Sequence, residues 1–268
     1  MDKSEVLLNK LLRYRRQHNQ EKALKPEVLD DFLSVGWYRI GQRLFAVDYI
    51  YLDENWIRVF WMRMVLNNFQ FGKQQKEVIK KNSGFSLEIK PLKLGEEHEN
   101  LYSLYRESIN FEGAPSASDF LFNQSPNQGL ICEIFPSRMI EMRDGKKLIA
   151  IGVFDLGKKT ISGILNYFDP AYKKYSPGKL MMLKKIELGI QLGCHYYYPG
   201  YVADGYSKFD YKFWPGKEYS ELYNPVFETW IPFEPNLVRT LAGDQEELLQ
   251  FLGPRSIEVD LELNMVFP

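Results

Sequence analysis

The chain has 268 residues, 45% hydrophobic and 15% aromatic, enough for one large core or two smaller ones packed together. Its 34 Lys+Arg against 35 Asp+Glu give a formal net charge of -1, which excludes the basic excess of a small domain that coats nucleic acid; any nucleic-acid site must be a local patch. Cys132 and Cys194 are too few for a disulfide framework and, with three scattered histidines, leave no metal site to expect. The N terminus, MDKSEVLLNKLLRYRRQ, breaks its apolar residues with charges, unlike a signal peptide, and no stretch approaches the roughly 20 apolar residues of a membrane span. The expectation is a soluble cytoplasmic protein that makes no use of a membrane.

In chain order, Val6, Leu7, Leu11 and Leu12 recur at helical spacing among Lys10, Arg13, Arg15 and Arg16, predicting an amphipathic helix over 2–20. EVLDDFLSVGW after Pro26 reads as a short helix stopped by Gly36, a residue that tolerates a left-handed backbone. Alternation around Tyr38–Tyr51 and Trp56–Leu66 predicts two strands joined through Asp53-Glu54-Asn55. FGKQQKEVIKKN forms a helix with Lys73, Lys76, Glu77 and Lys80 on one face, basic on balance and exposed. FSLEIKPLKLGEEHENLYSLYRESI gives a strand and then a helix entered through Glu96-Glu97, acids that suit the positive end of a helix dipole. The polar loop from Gly113 to Gln128, with SASD as a helix start, marks a soft boundary between an N-terminal α+β domain (1–115) and a C-terminal domain (116–268).

Beyond it, RMIEMR and KLIAIGVFD form two strands around the hairpin signal Asp144-Gly145, and TISGILNYF forms a third. SPGKLMMLKKIELGIQLG is a helix capped by Ser176, begun by Pro177 and closed by Gly193; the strand HYYYPGYVA follows. Met181 and Met182 are core residues. This order matches the core of the GNAT acyltransferase fold, an α/β (α+β) arrangement with a mixed, largely antiparallel sheet, in which the open helix N terminus receives the acyl donor. The start KYSPGKL has one glycine and a proline without an N–H, a poor cradle for the pyrophosphate of coenzyme A.

DGKKLIAIGVFDLGKKTISGILNYFDPAYKKYSPGKL resembles the C-terminal domain of arginyl-tRNA–protein transferases and their bacterial leucyl-transferring relatives. Asp155, Ser162, Tyr167-Phe168-Asp169-Pro170 and Ser176-Pro177-Gly178 carry the likeness. It continues in Tyr197, Tyr198, Gly200, Tyr201, Lys208-Phe209, Tyr211-Lys212, Pro215 and Glu218, and more weakly in Gly36-Trp37, Arg39, Gly41 and Arg58. The cysteines that the family clusters after its Gly-Trp element are absent, and the family's Cys before Lys-Met is Tyr206 here. The resemblance implies transfer of arginine or leucine from charged tRNA to proteins with N-terminal Asp or Glu, an N-degron activity. Its partners would be aminoacyl-tRNA and those proteins, with no cofactor. An acetyl-CoA-dependent N-acetyltransferase and a non-catalytic binder of charged tRNA or protein N termini are the alternatives.

Such chemistry needs positioning, oxyanion stabilisation and the handling of one proton, not a strong nucleophile, because an α-amine with pKa near 8 is already partly neutral. Asp155 is the candidate for the proton, or else a turn residue before Gly157, and Tyr198, Tyr201 and Tyr211 are candidate hydroxyl donors, or else core strand residues. Arg39 and Arg43 would meet an acceptor carboxylate or form structural ion pairs. Lys208 and Lys212 suit a phosphate or an acidic acceptor terminus, and Lys73, Lys76, Lys80 and Lys81 the tRNA backbone. The resemblance adds Ser162, Tyr167, Asp169, Ser176 and Gly178 as substrate-binding positions, Asp169 reading also as a turn initiator.

Overall fold

The computed structural model describes residues 24–52, 54–110, 113–122, 134–238, 241, 256–260 and 265–267. The expected helix over 2–20 and the loop around Gln128 lie outside them. Helix α1 (Pro26–Ser34) begins with proline, whose missing N–H costs nothing in a first turn, and buries Leu29, Phe32 and Leu33 on one face. Gly36 then turns the chain with φ +75. A Cβ there would lie 2.5 Å from the Tyr223 ring, so Gly36→Ala meets both backbone strain and a packed aromatic. Gly36→Ala is expected to cost about 2–4 kcal/mol, read as a lower urea midpoint with an unchanged slope.

The expected strand over Tyr38–Tyr51 is divided into β1 (Tyr38–Ile40), β2 (Arg43–Val47) and β3 (Tyr49–Leu52), the first break being a turn at Gly41 with φ +53. Strand β4 (Asn55–Val65) pairs with β3. Next come α2 (Lys73–Lys81), β5 (Ser86–Pro91), α3 (Glu96–Glu107) and α4 (Ala117–Phe122). The Asp144-Gly145 hairpin joins β6 (Ser137–Asp144) to β7 (Lys147–Leu156), and β8 (Thr160–Phe168) follows. A 3-10 turn, η1 (Pro170–Tyr175), leads into α5 (Pro177–Gln191) and β9 (Tyr196–Ala203). After η2 (Ser207–Phe213) and η3 (Lys217–Tyr219) come β10 (Ser220–Asn224) and β11 (Thr229–Pro232), then β12 (Ser256–Asp260) and β13 (Met265–Phe267).

The fold is α+β with a mostly antiparallel main sheet. Its order is β11-β10-β4-β9-β8-β7-β6-β5, with β3 added on β4, and β8–β9 is its parallel pair. A four-stranded sheet, β1-β2-β12-β13, stands beside it. The main sheet draws on both sides of position 115, since β4 and β5 hydrogen-bond to strands formed much later.

Both faces are covered, so the central strands are apolar on both sides rather than alternating apolar with polar. Phe60, Met62 and Met64 of β4 turn to the face under α5, with Met181 and Ile186. Trp61 turns the other way, to α1 and the small sheet, where it stacks on Tyr38 at 4.5 Å between ring centroids. Helices α3 and α4 cover β6–β8 on that same far side through Leu101, Tyr102 and Leu121. Met181 and Met182 are buried, as expected.

Candidate active site

Strands β8 and β9 run parallel only from Thr160↔Tyr196 to Ser162↔Tyr198. Beyond that pair, Gly163–Phe168 and Pro199–Ala203 share no register, so two strands of one sheet part with main-chain groups facing a gap. A second irregularity reinforces the first. In the β7–β8 ladder Val153 pairs with Leu165 and Phe154 with Gly163, leaving Ile164 as a bulge.

Lys185 of α5 sits beneath the bulge with 0% exposure. Its ammonium donates to the Val153 carbonyl at 2.7 Å and to Asn166 Oδ1 at 2.8 Å. Burial pulls its pKa down to about 7, against the raising influence of Asp155. Sequence reading passed over this residue. The available signal was helical phase, because Lys185 follows the buried Met181 at i+4 whereas its neighbour Lys184 pairs with Glu187.

The open end of the gap is edged by aromatic residues and one more lysine. Tyr201 of β9 is half-buried, and burial raises its pKa. Tyr211 of η2, 52% exposed, has its pKa pushed up to about 12, by desolvation first and then by the nearby Tyr105 and Tyr201. Tyr197 projects under Gly163, and its pKa too is raised by burial. Lys212 of η2 donates to the Tyr201 carbonyl and lies 4.5 Å from the Tyr201 ring centroid and 4.6 Å from that of Phe209.

Asp155 and Arg39 meet each other. Arg39 Nη1 donates to Asp155 Oδ1 at 2.7 Å and to Ser137 Oγ at 2.6 Å, Nη2 to the Leu121 carbonyl and Nε to the Gly41 carbonyl. Both side chains are enclosed, at 1% and 0% exposure, so of the two readings for Arg39 the structure contains the ion pair. Arg43 lies on β2 of the small sheet. Tyr198 is buried against Tyr38, Tyr196 and Trp230, and burial raises its pKa. Ser162 is buried at the last paired position of β8, and Tyr167 is buried under α3 next to Tyr102.

Asp169 caps η1 by accepting from Ala171 N at 2.9 Å and pairs with Lys147 at 2.7 Å, the turn-initiating reading. Its pKa is lowered; desolvation opposes, but the Lys147 and backbone hydrogen bonds outweigh it. Ser176 departs from expectation, because its side chain makes no cap hydrogen bond. Held left-handed at φ 57, it ends η1 and starts α5 with its backbone, donating to the Lys173 carbonyl and accepting from Leu180 N. Gly178 follows under the Phe168 ring.

Lysines gather beside this helix start. Lys73, Lys76, Lys80 and Lys81 are exposed along α2 with Glu77 as the helix's one acid. Lys81 donates to the Lys174 carbonyl, Asn82 Nδ2 to the Tyr175 carbonyl at 2.9 Å, and Gln75 Nε2 to the Trp214 carbonyl at 2.6 Å, tying α2 to η1 and η2. Lys173 and Lys174 of η1, with Lys179 of α5 over Trp214 at 4.4 Å, extend the ridge. Lys208 lies 5.9 Å from the Tyr206 ring, on η2.

Between the ridge and the end of β9 opens a cavity of about 680 Å³, walled by Phe213, Trp214 and Phe233 and edged by Asp204, Asp210 and Glu218. Among the described residues, no three His, Cys, Asp or Glu side chains gather as a metal site, and no helix is long and apolar enough to cross a membrane.

The site is thus a parted strand pair edged by buried lysine and tyrosine side chains and flanked by a cavity and a basic ridge. Residues 97–220 match the model of the family described as "Arginine-tRNA-protein transferase, C terminus". The aspartate/glutamate leucyltransferase of Shewanella sp. (strain ANA-3) is 29% identical over 199 residues, 72% of this chain and 78% of that protein. The protein of the same name from Thiobacillus denitrificans is 29% identical over 173 residues, 65% of this chain and 69% of its own length. The solved structure of FemX aligns over 69% of this chain and 63% of its own, at 9% identity and a TM-score of 0.41.

Proposed function

We propose that this chain is an aminoacyl-tRNA–protein transferase that moves arginine or leucine from charged tRNA to the N-terminal amine of proteins beginning with Asp or Glu. The observation that carries this reading is the parting of β8 from β9 beside the lysine ridge, which pairs a reaction gap with a surface for a polyanion. In this reading the domain is GNAT-like, and main-chain N–H groups of the parted strands stabilise the oxyanion formed when the amine attacks the ester.

The start of α5 favours tRNA over coenzyme A as donor. Pro177 removes an amide N–H and Ser176 spends its own on the Lys173 carbonyl, leaving few donors for a pyrophosphate. The ridge would instead neutralise several phosphates of an acceptor stem. Exchanging Lys73, Lys76, Lys80 and Lys81 for glutamine is therefore expected to weaken tRNA binding at least ~10-fold and to flatten the dependence of log Kd on log salt. Equal salt slopes in both proteins would count against the ridge.

The decisive experiment incubates the protein with peptides beginning in Asp, Glu or Lys and tRNA charged with arginine or leucine, and follows mass. A gain of one residue on the acidic peptides is expected, and which residue is gained identifies the donor. Acidic peptides that gain no amino-acid residue but do gain an acetyl group when acetyl-CoA is present would overturn the reading.

A further inference from the structure

A lysine enclosed in a core must recover inside the protein the hydrogen bonds that water gave its ammonium. Lys185 does so entirely on the main sheet. Its acceptors among the described residues are the Val153 carbonyl of β7 at 2.7 Å, Asn166 Oδ1 of β8 at 2.8 Å and, at the limit of a hydrogen bond, the Leu165 carbonyl at 3.5 Å. Three acceptors thus meet the three N–H groups of one ammonium.

These acceptors are in place only because β8 is bulged. Before the bulge, Ile161 packs on the α5 side of the sheet, and a Cβ at Gly163 would meet the Tyr197 hydroxyl there at 2.8 Å. After it the phase is reversed, with Phe168 on the α5 side and Tyr167 under α3. Remove the extra residue, Ile164, and every later side chain turns over, carrying Asn166 away from Lys185 to the α3 side. The Val153 carbonyl follows the same logic. A carbonyl in a regular ladder lies in the sheet and aims at the next strand, whereas that of Val153 reaches a side chain beneath the sheet at the point where the ladder is interrupted.

We propose that Lys185 is a positioning residue of the transfer site, holding β8 in its bulged register and so fixing how the main chain from Gly163 to Leu165 faces the gap. This rests on the transferase reading above. The bulge follows closely on Ser162, the last residue of β8 paired with β9, so the segment it shapes is the first on that side of the gap. Lys185 touches no reacting group; its effect passes through Val153, Leu165 and Asn166. Stabilising an oxyanion depends on where the donors point, and a displacement of about 1 Å can cost roughly 100-fold in rate. A loosened bulge therefore slows turnover while the lysine ridge and the cavity, which lie elsewhere, keep their shape.

The test compares the wild type, Lys185→Met and Lys185→Gln in single-turnover and steady-state transfer to an acidic peptide, with an amide proton–nitrogen spectrum of each protein. Methionine fills much of the space of the lysine stem without any donor, whereas glutamine keeps an NH2 group without the charge. Lys185→Met is expected to lower kcat ~30-fold or more with KM for tRNA and for peptide within about 3-fold. It is also expected to move the amide resonances of Gly152 and Gly163, which flank the bulge on β7 and β8, and to leave that of Gly145 at the hairpin tip in place. Lys185→Gln is expected to stay within about 5-fold of the wild type, because its amide can still donate to the sheet.

Lys185→Met with wild-type kcat, or with Gly152 and Gly163 unmoved, overturns the proposal and leaves the transferase reading intact. So does a glutamine variant as impaired as the methionine one. Should Lys185→Met fail to fold, Asn166→Ala removes one acceptor from the same arrangement and carries the same expectations for kcat, KM and the two glycines. A wild type that transfers neither amino acid overturns the transferase reading, while the glycine resonances still report whether Lys185 holds the bulge.

Discussion

Replacing Arg39 by alanine is expected to lower the unfolding free energy by about 3–5 kcal/mol, the usual result of stripping one partner from a buried ion pair. The guanidinium makes four hydrogen bonds of 2.9 Å or less, to Gly41, Ser137, Asp155 and Leu121, and lies 4.6 Å from the Phe135 ring centroid. Without it, Asp155 keeps the Ser137 hydroxyl at 2.6 Å, and its Oδ2 has no hydrogen-bond partner among the described residues. Urea denaturation with an unchanged slope is the measurement. The double variant Arg39→Met, Asp155→Leu is expected to recover a large part of the loss, because the charges disappear together. Asp155→Asn distinguishes a clamp from a proton-handling group: a clamp loses stability, whereas a reacting group loses kcat at constant stability. A fully stable Arg39→Ala protein would show that the network adds little.

Stability is also expected to rise with pH between about 7 and 9. Lys185 and Lys212 have native pKa values of about 7, against 10.5 for an ordinary lysine. Between those values the unfolded chain binds more protons than the native one, so raising the pH favours the native state. Each lysine contributes up to about 1.4 kcal/mol per pH unit. The gain ends near pH 10, where Tyr38, Tyr167, Tyr197 and Tyr198, all raised by burial, ionise more readily unfolded. Urea curves at pH 7, 8 and 9 measure the slope, and Lys185→Met is expected to flatten it by about half. A native protein whose stability is flat over this range would mean that both lysines stay charged and solvated.

Local chemistry explains what could be read beforehand. The β6–β7 hairpin announces itself through alternation and Asp144-Gly145, and α5 through Pro177 and Gly193, because each signal acts within a few residues. Pairings set by tertiary structure leave no such mark. Arg39 and Asp155 are 116 positions apart, and nothing near either names the other. The parallel β8–β9 contact lasts three residues before the strands part, too short to impose a pattern. The lysine at 212 was noticed through family likeness, yet its aromatic enclosure depends on η2 folding back over β9. The break within Tyr38–Tyr51 was missed because residues on both sides of Gly41 keep strand character.

The place of β4 has a consequence for how the protein is made. Its partners on either side, β9 and β10, emerge from the ribosome only after about half the chain has followed it. Until then both hydrogen-bonding edges of a strand carrying Phe60, Trp61 and Met62 stay unpaired by those neighbours in the nascent polypeptide. Closure of the central sheet is therefore a late, long-range event. Synthesis stalled before residue 196 is expected to leave a chain that is readily cleaved by protease or captured by chaperones.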